Sequence, residues 1–181
     1  MKFILTLHGH TAWNLEGILQ GQIDTELHEV GIANATEKGK RLQEYEEKIT
    51  RIISSDLKRS IQTAGIINQF LHVPTQTDAR LRECSYGWLE GINKSHAEMQ
   101  RALKGRVWQY FYNEYDYREY GGENYSDVLE RYRELLDDVK HRYGSDVILL
   151  VGHITGMSTL LHACGQKNVP MERDEIRCLE Y

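Results

Sequence analysis

Cysteine is scarce in this sequence: Cys84, Cys164 and Cys178 are the three in 181 residues, scattered and forming no CxxC pair. That usage argues against a disulfide framework and fits a reducing compartment with buried thiols. Net positive charge is lacking as well. The 22 Lys and Arg are outweighed by 27 Asp and Glu, for a net charge of −5, so no long-range field draws the chain to nucleic acid or an anionic membrane. A small anionic substrate is not excluded, because a pocket can gather cations locally. At the N-terminus the apolar run from Phe3 to Leu7 is broken by Thr6 and ends at His8, far short of a signal peptide or a membrane span. The expected location is the cytoplasm. Repeats, low-complexity tracts and linkers are missing too, so residues 1–181 are read as a single domain. What is present is globular composition, 40% hydrophobic and 27% charged, in a chain long enough to bury a core.

Strand and helix signals alternate. Met1 to Leu7 is a short apolar run stopped by a turn at His8-Gly9-His10, which predicts a buried strand. Charged, helix-forming sequence from about Gly31 to Glu47 places Ile32, Ala35, Leu42 and Tyr45 on an inner face. Arg51 to Ser55 reads as a second strand, and Asp56 stands where an N-cap belongs, before a helix burying Leu57, Ile61, Ala64, Ile67 and Leu71. Ser126 is read as the cap of another helix, with Leu129, Tyr132, Leu136 and Val139 on its inner face and Gly144 at its stop. Val147 to Val151 is the clearest buried strand. A helix from about Gly156 to Cys164 and a strand from Ile176 to Tyr181 complete the chain. The pattern predicts an α/β three-layer sandwich, a mostly parallel central sheet with helices on both faces. The segment from Trp108 to Tyr125 holds six of the eleven tyrosines; it is read as a helical insertion with aromatic packing or as a lid over a pocket.

In an open α/β sheet, reactive groups belong at the carboxyl ends of strands. His8 and His153 each follow a predicted buried strand, and each stands beside a glycine, Gly9 or Gly152. A single histidine at such a place is usually structural; a pair is harder to explain that way. Arg59 falls in the first turn of the helix after the second strand.

Four blocks then carry a resemblance. Leu5 to Asn14, LTLHGHTAWN, resembles the opening signature Arg-His-Gly-Glu-Thr-x-Trp-Asn of the histidine phosphatase (phosphoglycerate mutase-like) superfamily. Ser55 to Ile66, SDLKRSIQTAGI, is similar to its second block, and Leu81 to Gly91, LRECSYGWLEG, to its Leu-x-Glu segment. Val151-Gly152-His153 matches the closing histidine motif. Each block alone is weak, but their order and spacing over nearly the whole chain are specific. The resemblance implies that His8 is the nucleophile, phosphorylated on one ring nitrogen while a backbone carbonyl fixes the other. It implies that Arg59 and His153 bind phosphoryl oxygens, that Asn14 helps at the phosphate rim, and that Glu83 serves as general acid and then base. Neither a metal nor another cofactor is implied, and the expected partner is a small phosphorylated substrate.

The sequence also departs from the family pattern. Leu7 stands where the arginine before the nucleophile is usual, and loss of one preorganised donor typically costs about 10²–10³ in rate. His10 replaces the signature's glutamate and is a candidate phosphate-rim donor, and Ser158 occupies a position that is usually basic. Two readings follow: a weakened phosphomonoesterase, or a non-catalytic relative that binds phosphorylated ligands or a protein partner. Retention of His8, Arg59, Glu83 and His153 favours the enzyme. Cys84 and Ser85 after Glu83, where mutases carry arginine and another polar group, favour hydrolysis over phosphoglycerate mutation. His8-x-His10 is also similar to a metal-binding pair of amidohydrolase barrels, but 181 residues is short for such a barrel and no further ligand cluster follows.

Overall fold

The computed structural model describes residues 1–96, 99, 115–144, 146–166 and 170–181. Five strands, β1 (Lys2–Leu7), β2 (Arg51–Ser54), β3 (Thr75–Thr77), β4 (Val147–Gly152) and β5 (Ile176–Glu180), form one sheet in the order β3-β2-β4-β1-β5. Neighbours run parallel except β5, which is antiparallel to β1. The helices are α1 (Ala12–Glu16), α2 (Glu29–Gln43), α3 (Lys58–Leu71), α4 (Tyr125–Tyr143) and α5 (Ile154–Ala163).

The two-residue strand period sorts the core into two layers. Phe3, Leu5 and Leu7 of β1, with Ile148 and Leu150 of β4, meet Val128, Tyr132, Leu136, Leu160 and Leu161 from α4 and α5. Ile4, Ile52, Leu149 and Val151 face Leu42, Ala64 and Ile67 of α2 and α3. This is the expected α/β sandwich with helices on both faces. Among the described residues no helix is long and apolar enough to cross a membrane.

Several boundaries differ from expectation. The helix expected from Gly31 starts at Glu29 behind His28, whose ring accepts from Val30 N. Asp56 does not cap α3: its carboxylate takes the fork of Arg82 at 2.7 and 2.6 Å, and the first helical N–H, of Lys58, donates instead to Asp24 at 2.7 Å. Ser126 gives way as cap to Asn124, which forms a reciprocal capping box with Asp127. The last helix begins at Ile154, two residues before Gly156. Ile32 and Ile61 are exposed rather than inward. In the tyrosine-rich segment, residues 108–114 lie outside the described ones. Tyr115 and Tyr117 are buried in the core, stacked on each other at 5.7 Å between ring centroids.

Candidate active site

The parallel register of β1 and β4 builds the centre of the site. Leu7 pairs with Gly152, and His8 N continues the ladder to Gly152 O at 3.0 Å. The next side chain from each strand is a histidine, so the rings of His8 and His153 come within 5.1 Å of each other. β2 ends alongside them, since Ser55 N donates to Val151 O at 2.9 Å, and delivers the first turn of α3 with Arg59. The loop bearing His8 is pressed against α2. A Cβ on Gly9 would lie 2.4 Å from Gly31 O, and one on Gly31 would lie 2.1 Å from His10 O, so both positions need glycine for this approach of backbone to backbone.

His8 is buried, and its Nδ1 meets Gly9 O at 2.6 Å. A carbonyl only accepts, so Nδ1 carries the proton and Nε2 keeps its lone pair. Burial first, then His153, Arg173 and Arg59, holds the His8 pKa well below the ordinary histidine value. Burial and the charges of Arg59, Arg131 and Arg173 do the same to His153. Arg59 is immobilised by carbonyls: Nη1 donates to Ile23 O at 2.8 Å and Nη2 to Gly21 O at 2.6 Å. Nη2 also reaches His153 Nδ1 at 3.3 Å, while His153 Nε2 lies 3.2 Å from Ser60 Oγ. The Nε of Arg59 is buried and has no hydrogen-bond partner, an orphan donor that an anion would satisfy.

Glu83 follows the short 3-10 turn Ala79–Leu81 and approaches the N-terminus of α5. Its Oε1 accepts from Cys84 N at 2.9 Å and Gly156 N at 3.4 Å, and its Oε2 from Thr155 N at 3.4 Å. Burial raises its pKa above the usual glutamate value against these donors and the charges of Arg59 and Arg131. His8, Asn14, Arg59 and Glu83 share the wall of one cavity of about 120 Å³, small beside the roughly 300–1,000 Å³ of drug-sized ligand sites. Asn14 Oδ1 is engaged in the cap of α1, accepting from Thr11 N at 3.0 Å, which leaves its amide N–H groups for a ligand. His153 stands behind this wall. His10 is turned elsewhere: its Nδ1 meets Asn34 Oδ1 at 2.9 Å, and it does not line the cavity. Among the described residues no group of three or more His, Cys, Asp or Glu is placed to hold a metal ion.

Four further residues escaped sequence reasoning. Arg131 of α4 donates to the carbonyls of Arg80, Arg82 and Glu83 at 2.7, 2.7 and 3.1 Å and pairs with Glu123, so it holds the segment that carries Glu83. On a helix it reads as an ordinary solvated arginine. Tyr86 lines the cavity with its hydroxyl 2.6 Å from Thr155 Oγ1. Lys94 and Arg173 line it as well, and no local pattern marks either.

The neutral histidines make stability depend on pH. Both have native pKa values depressed below about 6.5, the value each regains on unfolding. The unfolded chain therefore binds more protons just below that pH, and stability is full above it and falls as pH drops. Each histidine should contribute about 1 kcal/mol between about pH 6.5 and 5.5, with the slope approaching about 1.4 kcal/mol per pH unit at lower pH. Urea unfolding between about pH 5.5 and 6.5 should show this slope, and His8→Asn should remove one histidine's share. An unchanged slope in that variant would mean that His8 is protonated in the native protein.

Residues 3–176 match the histidine phosphatase superfamily (branch 1). The chain is 33% identical over 175 residues to a 2,3-bisphosphoglycerate-dependent phosphoglycerate mutase of Methylobacterium sp. (strain 4-46), covering 86% of this chain and 81% of the relative. It is 30% identical over 156 residues to a metal-independent phosphoserine phosphatase of Arabidopsis thaliana, covering 84% of this chain and 63% of that longer protein. Among solved structures, Bacillus stearothermophilus YhfR superposes with a TM-score of 0.82 at 29% identity, over 99% of this chain and 90% of that one.

Proposed function

The chain belongs to the histidine phosphatase superfamily, and on that premise we propose that it hydrolyses small phosphomonoesters through a phosphohistidine at His8, without a metal. The observation that carries this reading is the His8 tautomer. With Nδ1 held by Gly9 O at 2.6 Å, the lone pair of Nε2 is available at a cavity whose wall also includes Arg59 and Glu83.

The steps follow from these groups. His8 Nε2 attacks phosphorus while the bond from phosphorus to the ester oxygen breaks, and Glu83 gives its proton to the departing oxygen. Water then attacks the phosphohistidine, Glu83 takes a proton from it, the phosphorus–nitrogen bond breaks and inorganic phosphate leaves. The Arg59 guanidinium and the Asn14 amide donate to the phosphoryl oxygens. Arg59 donates to His153 Nδ1 at 3.3 Å, so Nε2 carries the proton, and its long contact of 3.2 Å with Ser60 Oγ is the one that can be exchanged for a phosphoryl oxygen as charge develops. We read Leu7 as a replacement of the family's arginine; its side chain is fully buried in the apolar layer and does not line the cavity.

Hydrolysis rather than mutation is favoured by the residues after Glu83. The Cys84 thiol is buried against Ser85 O at 3.4 Å, and Ser85 N is bound to Glu123 at 2.8 Å, so neither extends a basic group to a second anion. Rapid acid-free quenching with a labelled phosphomonoester should trap a phosphoenzyme that is stable to base and labile to acid, located on His8, with turnover indifferent to chelators. Label on any other residue, or turnover without label, would sink this reading.

A further inference from the structure

Arg173 lies in the turn between Pro170 and β5, far from every motif. Its Nη1 donates to His8 O at 3.2 Å, and its side chain joins the cavity wall with His8, Arg59 and Glu83. Among the described residues the guanidinium has no ion-pair partner, although it is half-buried and Glu83 and Asp174 act on it only at a distance. A partly desolvated cation without a close counter-charge carries a cost, and an anion in the cavity would supply that charge.

The turn is fastened in place. Lys38 of α2, itself buried, donates to Arg173 O at 2.7 Å and to Leu7 O at 2.6 Å. Arg41 donates to Asp174 O at 2.9 Å, and Glu172 N to Glu175 at 2.9 Å. Ser158 Oγ accepts from Met171 N at 3.3 Å. The Ser158 side chain thus helps fasten this segment, and Lys38 ties it to the backbone of β1 at Leu7.

We infer that Arg173 supplies to the phosphoryl group the guanidinium that Leu7 cannot, reaching the same cavity from the C-terminal turn instead of from β1. As a catalytic role the inference rests on the hydrolase reading above; as a phosphate-binding role it stands on the cavity alone. A guanidinium has five N–H donors, and one is engaged with His8 O, so a two-pronged contact to phosphate oxygens remains available. Lys38 and Arg41 act as positioning residues that hold the turn against His8.

The test is calorimetric titration of the purified protein with inorganic phosphate, alongside kcat/KM for a phosphomonoester. Arg173→Ala should weaken phosphate binding by about tenfold or more and lower kcat/KM by about 10²–10³-fold. Arg173→Gln, which can keep the bond to His8 O without the charge, should show the same losses. Full recovery by glutamine would overturn the inference, because it would limit Arg173 to bracing the His8 loop. Unchanged phosphate affinity in a folded variant, or no phosphate binding by the unaltered protein, would overturn it as well. Weakened phosphate binding without any His8-dependent turnover would instead defeat the hydrolase reading and leave Arg173 as a phosphate ligand.

Discussion

His8→Ala is expected to lower kcat by about 10⁵-fold or more, the scale seen when the nucleophile of a covalent mechanism is removed. Alanine leaves no atom on which the phosphoryl group can rest, so hydrolysis would need direct attack by water at a site shaped for an imidazole. The rest of the cavity should survive. Arg59 is fixed by Gly21 O and Ile23 O, and Arg173 by its backbone clamp, neither through the His8 ring. Loss of the imidazole also removes a neutral ring that sits among positive charges, with Arg59 and Arg173 both acting on it. Phosphate binding measured by calorimetry should therefore stay within about tenfold of the unaltered protein while turnover disappears. That split between binding and rate distinguishes a missing nucleophile from a collapsed pocket. A variant that keeps its rate to within tenfold would place the nucleophile elsewhere; one that loses phosphate binding and melts early would show His8 to be structural.

The strands most plainly readable in the sequence are those that bury both faces. β1 and β4 are near-continuous apolar runs because they lie at the middle of the sheet with helices above and below. The sequence carries no signal for β3 because Thr75–Thr77 is a polar, mostly exposed edge strand paired only with β2, nor for α1 because none of its five residues is buried. Spacing alone puts Ile32 and Ile61 inward, but apolar residues do occur singly on surfaces. At the site the same distinction holds. His8 and His153 each follow a strand directly and Arg59 opens the helix after β2, so sequence order and the parallel register bring them together. Arg173 arrives through an antiparallel return and a contact with Lys38 that spans 135 residues, and no local pattern records such a contact. His10 shows the reverse: two residues from His8 in sequence, its ring is drawn off by Asn34.

Glu83→Gln should separate substrates by their leaving groups. An alkyl phosphate releases an alkoxide that needs a proton as its bond to phosphorus breaks, and general acid catalysis of that kind contributes about 10²–10⁴-fold. A nitrophenyl phosphate releases a stable anion and needs little help. The relevant quantity is kcat/KM, because it reports only the steps through departure of the leaving group and is blind to the later attack of water. We expect kcat/KM to fall about 10²–10⁴-fold on the alkyl ester and less than about tenfold on the nitrophenyl ester. On the nitrophenyl ester kcat should nevertheless drop, with phosphoenzyme accumulating, since the same carboxylate activates the water. The pH profile gives an independent reading. Burial raises the Glu83 pKa, and the acid form is the one that acts in the first step, so kcat/KM on the alkyl ester should decline as pH rises past that pKa. Glutamine cannot titrate and should flatten this limb. The substitution has a structural cost of its own: the amide NH₂ must replace either Oε2, facing Thr155 N, or Oε1, facing Cys84 N and Gly156 N, and cannot accept from the N–H groups it meets. A loss of about 1–3 kcal/mol in unfolding free energy is expected, but it would weigh equally on both substrates. Equal falls in kcat/KM on the two esters, with the alkyl-ester pH limb unchanged, would remove Glu83 from proton transfer and leave it only the task of meeting the N-terminus of α5.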